Sequence, residues 1–272
     1  MTRVRGIGLL TGWGAGAAAL PAEATQAAGG RRVVPLATPP SDGERFRRAT
    51  RECRLAVAAV EAALADAGLS RSAVSGPGTA LVYVTAAAYG SSNRVFIDGY
   101  GKGGGASGLY FPYTAPSAVP AEVAIDCGLR GGYVILVGGA ATCVEALWQA
   151  ATLLAAGRCD RALVLAVETF AECEDLWARG RWAVRGPLVE AAACAVLEGG
   201  GGVRYAVATA PAALETLARR RAGETLACEP LVGLALARDA GEQHAALTGQ
   251  WRGRRTAVTL GLPAATGAAA HA

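Results

Sequence analysis

Basic residues other than arginine are nearly missing from this chain. His244 and His271 are its only histidines and Lys102 its only lysine among 272 residues. Chemistry that needs paired imidazoles or a catalytic ammonium has little to draw on. Charged residues are scarce as well, at 18%, while hydrophobic ones reach 52%, which excludes a disordered chain. The net charge of +4 is almost wholly arginine; it suits an acidic partner but is too diffuse to mark a nucleic-acid surface. The run Arg219-Arg220-Arg221 reads as a solvated helix end. No uninterrupted apolar run reaches the roughly 18 residues of a membrane span, so none is predicted. Paired CxxC motifs are absent too. The seven cysteines, at 53, 127, 143, 159, 173, 194 and 228, are odd in number, which argues against a zinc site and a disulfide framework. Most read as small buried hydrophobes in a reducing cytoplasm, and no metal or cofactor is expected.

What the chain has in quantity is small residues. Alanine dominates the hydrophobic share and glycine contributes 37 positions, a composition for tight helix packing, close backbone approaches and sharp turns. The length suffices for one large domain or two intimate halves. Arg3 and Arg5 followed by the apolar stretch Gly6 to Leu20 mimic a secretory signal. Five glycines between Gly6 and Gly16 would weaken such a helix, so the segment reads as a buried strand and a glycine turn.

Hydrophobic periodicity then gives a strand over Val4–Leu10 and a loop over Pro21–Gly43. A helix over Glu44–Gly68, apolar at Phe46, Leu55, Val60 and Leu64, ends on Gly68. Strands follow at Thr79–Thr85, Val134–Val137 and Arg161–Val167, with helices at Ala121–Cys127 and Ala141–Ala156 and a pair of short strands within Trp182–Leu197. The tail offers one helix, about Thr225–Arg238, and one strand, about Arg255–Leu260. Alternating strands and helices predict a layered α/β fold with a buried, largely parallel sheet.

Three passages in order resemble the N-terminal half of β-ketoacyl synthases. They are Gly6-Ile7-Gly8-Leu9-Leu10-Thr11-Gly12-Trp13-Gly14, the helix ending Glu61-Ala62-Ala63-Leu64-Ala65-Asp66-Ala67-Gly68-Leu69, and the stretch from Pro112 to Glu168. The last contains Gly128-Leu129-Arg130-Gly131 and Gly157-Arg158-Cys159-Asp160-Arg161-Ala162-Leu163. Arg185-Gly186-Pro187-Leu188-Val189-Glu190 looks like a degenerate form of a further family hairpin. The resemblance implies a thiolase-like fold, with residues 1–200 forming a complete N-terminal half. Residues 201–272 would be a reduced C-terminal remnant of one helix, one strand and a flexible tail.

The resemblance fails where the chemistry belongs. The family places a nucleophilic cysteine in a turn at the start of a buried helix, where the helix field lowers the thiol pKa. Here the passage is Gly138-Gly139-Ala140-Ala141-Thr142-Cys143, and the nucleophile position falls on Ala140. Cys143 lies three residues, almost a helical turn, too late. The histidines, or histidine and asparagine, with the lysine that the family's second half supplies have no counterpart: His244 sits in a polar stretch, His271 in the tail and Lys102 in a glycine-rich loop.

The resemblance therefore implies a chain-length-factor-like subunit. Such a subunit has no catalytic residues, forms a heterodimer with an active ketosynthase, meets acyl carrier protein mainly through that partner and helps shape the acyl-chain tunnel of polyketide synthesis. Trimmed subunits would suit the polyene-forming branch. Val134 to Leu147 are expected near the partner. Asn93, Phe96, Ile97 and Tyr100, at i, i+3, i+4 and i+7 of one helical face, are expected to line the tunnel or else to pack in the core. Two other readings stand beside this one: a compact acyltransferase or thiolase-like enzyme with Cys143 as nucleophile and His244 as base, and a scaffold that never touches substrate.

Overall fold

The computed structural model describes residues 2–40, 49–101, 108–179, 186–199 and 201–262. The opening glycine-rich segment is the strand β1 (Arg3–Thr11), turned back through a two-residue partner, β2 (Gly14–Ala15). A short helix α1 (Ala24–Ala28) and strand β3 (Val33–Val34) follow. The long helix α2 (Arg51–Asp66) ends two residues before Gly68, whose φ of 64° is the left-handed turn that favours glycine. Then come α3 (Arg71–Val74), β4 (Thr79–Thr85), α4 (Ala88–Gly101), α5 (Ala118–Cys127), β5 (Tyr133–Val137), α6 (Ala140–Ala155) and β6 (Arg161–Glu168). The chain continues through α7 (Glu174–Arg179), β7 (Leu188–Val189), β8 (Ala191–Glu198), β9 (Tyr205–Val207), α8 (Ala213–Ala222), α9 (Glu229–Asp239), β10 (His244–Trp251) and β11 (Arg254–Gly261).

One sheet, in the order β10-β11-β1-β8-β6-β4-β5, organises the molecule, with β9 added at β11. It is mixed. β6, β4 and β5 run parallel, as do β1 and β11, but β8 opposes both of its neighbours and β10 opposes β11. The parallel share is thus smaller than strand–helix alternation implies: β10 joins β11 through a two-residue hairpin, and β8 is inserted antiparallel between β1 and β6. Helices cover both faces. Along β4, Leu81 and Tyr83 point to the layer of α2 and α5, while Ala80, Val82 and Val84 point to that of α6 and α9. Period-2 alternation with both faces apolar is what a buried central strand requires.

Glycine has a specific job in β1. A Cβ on Gly8 would run into the carbonyl oxygen of Ala59, and one on Gly6 into that of Ala63. The repeated Gly-x-Gly is therefore what lets α2 lie directly across the strand. Glu190, the acidic end of the degenerate hairpin, is fully buried between β7 and β8. Its carboxylate accepts from Arg51 (2.7 Å) and from the backbone N–H groups of Leu36, Phe170 and Ala171 (2.8 Å each).

The C-terminal part differs from its sequence reading. Residues 201–262 hold two helices and three strands, not one of each. The predicted helix is α9 and the predicted strand β11; α8, β9 and β10 are additional. The arginine run does end a helix, α8, but it is not simply solvated. Arg219 donates to Glu229 (2.9 Å) and Arg221 to the carbonyls of Leu20 (2.7 Å) and Pro21 (3.1 Å); Arg220 alone points outward. The predicted flexible tail, with His271, lies outside the described residues, as does Lys102.

Candidate functional site: the turn before α6

β5 ends at Val137 and α6 begins at Ala140, so two glycines make the turn. A side chain on Gly138 would strike Thr142, and one on Gly139 would enter the indole of Trp251. Ala140 is the first residue of α6 and is 3% exposed. Its methyl group has no proton to give and no lone pair to attack with. No side chain caps the helix here, so the uncompensated first-turn N–H groups leave a positive field at the turn. Ala140 presents only a methyl group to that field.

Cys143 faces the core beside Val144 and Leu147 and is completely buried. Burial, reinforced by the charges of Glu168 and Glu229, pushes its thiol far above the ordinary range. His244 is exposed and opens β10. It precedes Gly249, the β10 residue against Ala140, by about 17 Å of extended chain. Cys143 is thus enclosed in the core, whereas His244 faces solvent.

Glu168 ties neighbouring strand ends together. It accepts the N–H groups of Ala86 (2.7 Å), Ala87 (2.9 Å) and Ala227 (3.2 Å), joining the ends of β6 and β4 to the segment before α9. Among the described residues no group of His, Cys, Asp and Glu is arranged to hold a metal.

Asn93, Phe96, Ile97 and Tyr100 all lie on α4. The start of this helix is anchored: Ser92 donates to Glu52 (2.9 Å), and Thr169 bridges Glu52 (3.1 Å) and Ser91 (3.0 Å). Its second half is carried at the surface. Asn93 and Phe96 are half-buried, Phe96 edge-on to Phe111, while Ile97 and Tyr100 are 63% and 71% exposed. Phe111, Tyr110 and Val95 extend this apolar surface. β5 is the last strand of the sheet and pairs only with β4 among the described residues, leaving one edge open with Tyr133 and Val137 exposed.

Residues 39–187 match the family model of the β-ketoacyl synthase N-terminal domain. The chain belongs to the β-ketoacyl synthase family. Among curated proteins none matches it. Solved structures do. An acyl-carrier protein–ketosynthase complex of a type II polyketide synthase, AntDE:AntF, has a chain 15% identical at a TM-score of 0.76, covering 96% of this chain and 98% of that one. The ishigamide ketosynthase/chain length factor is 18% identical at 0.71, covering 96% and 99%. The ketosynthase ApeO in complex with its chain length factor ApeC, from Xenorhabdus doucetiae, is 17% identical at 0.56, covering 83% and 84%. At such identities the likeness establishes the thiolase-like ketosynthase fold. No helix among the described residues is long and apolar enough to cross a membrane.

Sequence reasoning missed the residues that cover the turn: Gly249, Trp251 and Thr256, on β10 and β11. The signal was present. Arg252 and Gly253, with φ of 49° and 81°, form the two-residue turn of a tight hairpin between apolar runs.

Proposed function

We propose that this ketosynthase-family chain is a catalytically inactive, chain-length-factor-like subunit. It forms a heterodimer with an active ketosynthase and helps shape the tunnel that receives the growing acyl chain in polyketide synthesis. One observation carries the reading: Ala140 is the first residue of α6, where the family's chemistry needs a nucleophile. The open edge of β5 and the apolar half of α4 support a partner, because an unpaired edge and exposed aromatics favour association. Ketosynthase/chain length factor pairs among the similar structures support the kind of partner. Acyl carrier protein would be met mainly through the ketosynthase, in the cytoplasm. The use of Cys143 as a nucleophile finds no support in a thiol buried in the core and pushed far above its ordinary pKa.

Co-expression with a candidate partner ketosynthase tests the proposal. A one-to-one complex is expected on size-exclusion chromatography, burying more than about 2,000 Å² as obligate pairs do. The isolated chain should form no acyl thioester and should not condense acyl and malonyl units, and Ala140→Cys should not restore condensation. Turnover by the chain alone, or a stable monomer that ignores the ketosynthase, would overturn the reading.

A further inference from the structure

The β10–β11 hairpin lies across the first turn of α6. Gly249 sits so close to Ala140 that a Cβ on it would run into the Ala140 carbonyl. Thr256, its partner across the hairpin, donates from its buried hydroxyl to the carbonyl of Ala141 at 3.0 Å. The indole of Trp251 fills the space in front of Gly139, with the Arg252 guanidinium 5.8 Å from its centre. Gly138, Gly139 and Ala140 are all buried as a result, although the helix end they form has no side-chain cap.

We propose that this hairpin is a built-in plug, with Trp251 as its sealing residue, that bars an acyl thioester from the turn whatever residue stands at position 140. An attacked carbonyl must come within about 3–3.5 Å of a nucleophile, and in this fold indole and backbone occupy that approach. The inference goes beyond the missing nucleophile. It locates a second, independent block in the tertiary structure, and it holds with or without a partner subunit.

Two measurements on the full chain test it. The first is hydrogen exchange at the amides of Ala140 to Cys143, followed by mass spectrometry. These should be protected in the parent and in Trp251→Phe, and should exchange at least about 10-fold faster in Trp251→Ala, while β6 amides stay unchanged. The second is alkylation of Ala140→Cys by iodoacetamide, mapped by peptide so that the seven native cysteines are counted apart. With Trp251 in place the introduced thiol should label at least about 100-fold more slowly than an exposed thiol, and adding Trp251→Ala should release much of that protection. Labelling at the rate of an exposed thiol with Trp251 present would sink the plug, as would a folded Trp251→Ala protein with unchanged exchange and labelling. Should Trp251→Ala unfold, as loss of β6 protection would reveal, the Ala140→Cys rate with Trp251 intact decides alone.

Discussion

Glu168 shows how one residue couples this fold to pH. It is fully buried, and burial, the largest influence, pushes its carboxyl up to about 8 against four hydrogen bonds that favour the charged form. Glu229 is moved the same way, to about 7, by burial that outweighs its pairing with Arg219. Glu190 goes the other way. Burial works to raise it, but the hydrogen bonds and charge of Arg51 prevail and hold it below the usual carboxylate range. A carboxyl raised in the fold lends stability that is fully present below its unfolded value of 4.5 and is lost as pH rises through its folded value. Urea unfolding should therefore report falling stability between about pH 5 and 8, by up to about 1.4 kcal/mol per pH unit for each such group. Glu168→Gln should flatten that slope. An unchanged slope would mean that Glu168 ionises at an ordinary pH. Glu190 acts at the acid end, where its stabilisation is lost as pH falls through its depressed value.

At the scale of elements, α4 and β5 carry the functional argument. α4 is a helix with two halves, one tied by Glu52, Ser91, Ser92 and Thr169 and one presenting Ile97 and Tyr100 outward beside the half-buried Phe96. If that face closes a shared tunnel, an extending acyl chain must overpack it or stop, at a cost on the order of 1–3 kcal/mol. Phe96→Ala or Tyr100→Ala in the heterodimer should then shift the product distribution toward longer chains by roughly one to two powers of ten, with assembly intact. Normal assembly with unaltered products would leave only the scaffold role. β5 makes a separate demand. Val137 is 56% exposed on the open strand, and Val137→Lys places a charge where a partner strand would dock. Size-exclusion chromatography should show that this variant stays folded but no longer co-elutes with the ketosynthase.

At the scale of the whole molecule, the sheet runs across the sequence boundary at residue 200. β11 lies beside β1, and α9 packs on the same face as α6, with Leu231 and Leu234 in the cluster that holds Leu147 and Val164. Residues 1–200 expressed alone would expose the sheet edge at β1 and the α6 face that β10, β11 and α9 cover. That fragment should be insoluble or lack near-ultraviolet dichroism. A fragment that folds cooperatively would show that the C-terminal segment is an accessory layer.

Local signals were enough to read the core of this fold from sequence. Thr79–Thr85 and Arg161–Val167 are strands built on apolar runs, and Gly68 follows a helix end; each signal depends on neighbours within a few residues. The start of α6 was legible to within a residue, because helix start and turn are consecutive in the chain. What sequence left hidden depends on contacts far apart along it. β8 and β10 run antiparallel to their neighbours because of where the chain returns, not because of their composition. Gly249, Trp251 and Thr256 cover Ala140 across more than a hundred residues. The arginines of α8 found carboxylates and carbonyls that only packing brought near. Periodicity records which face of an element is buried; it does not record what buries it, and that is decided by tertiary packing.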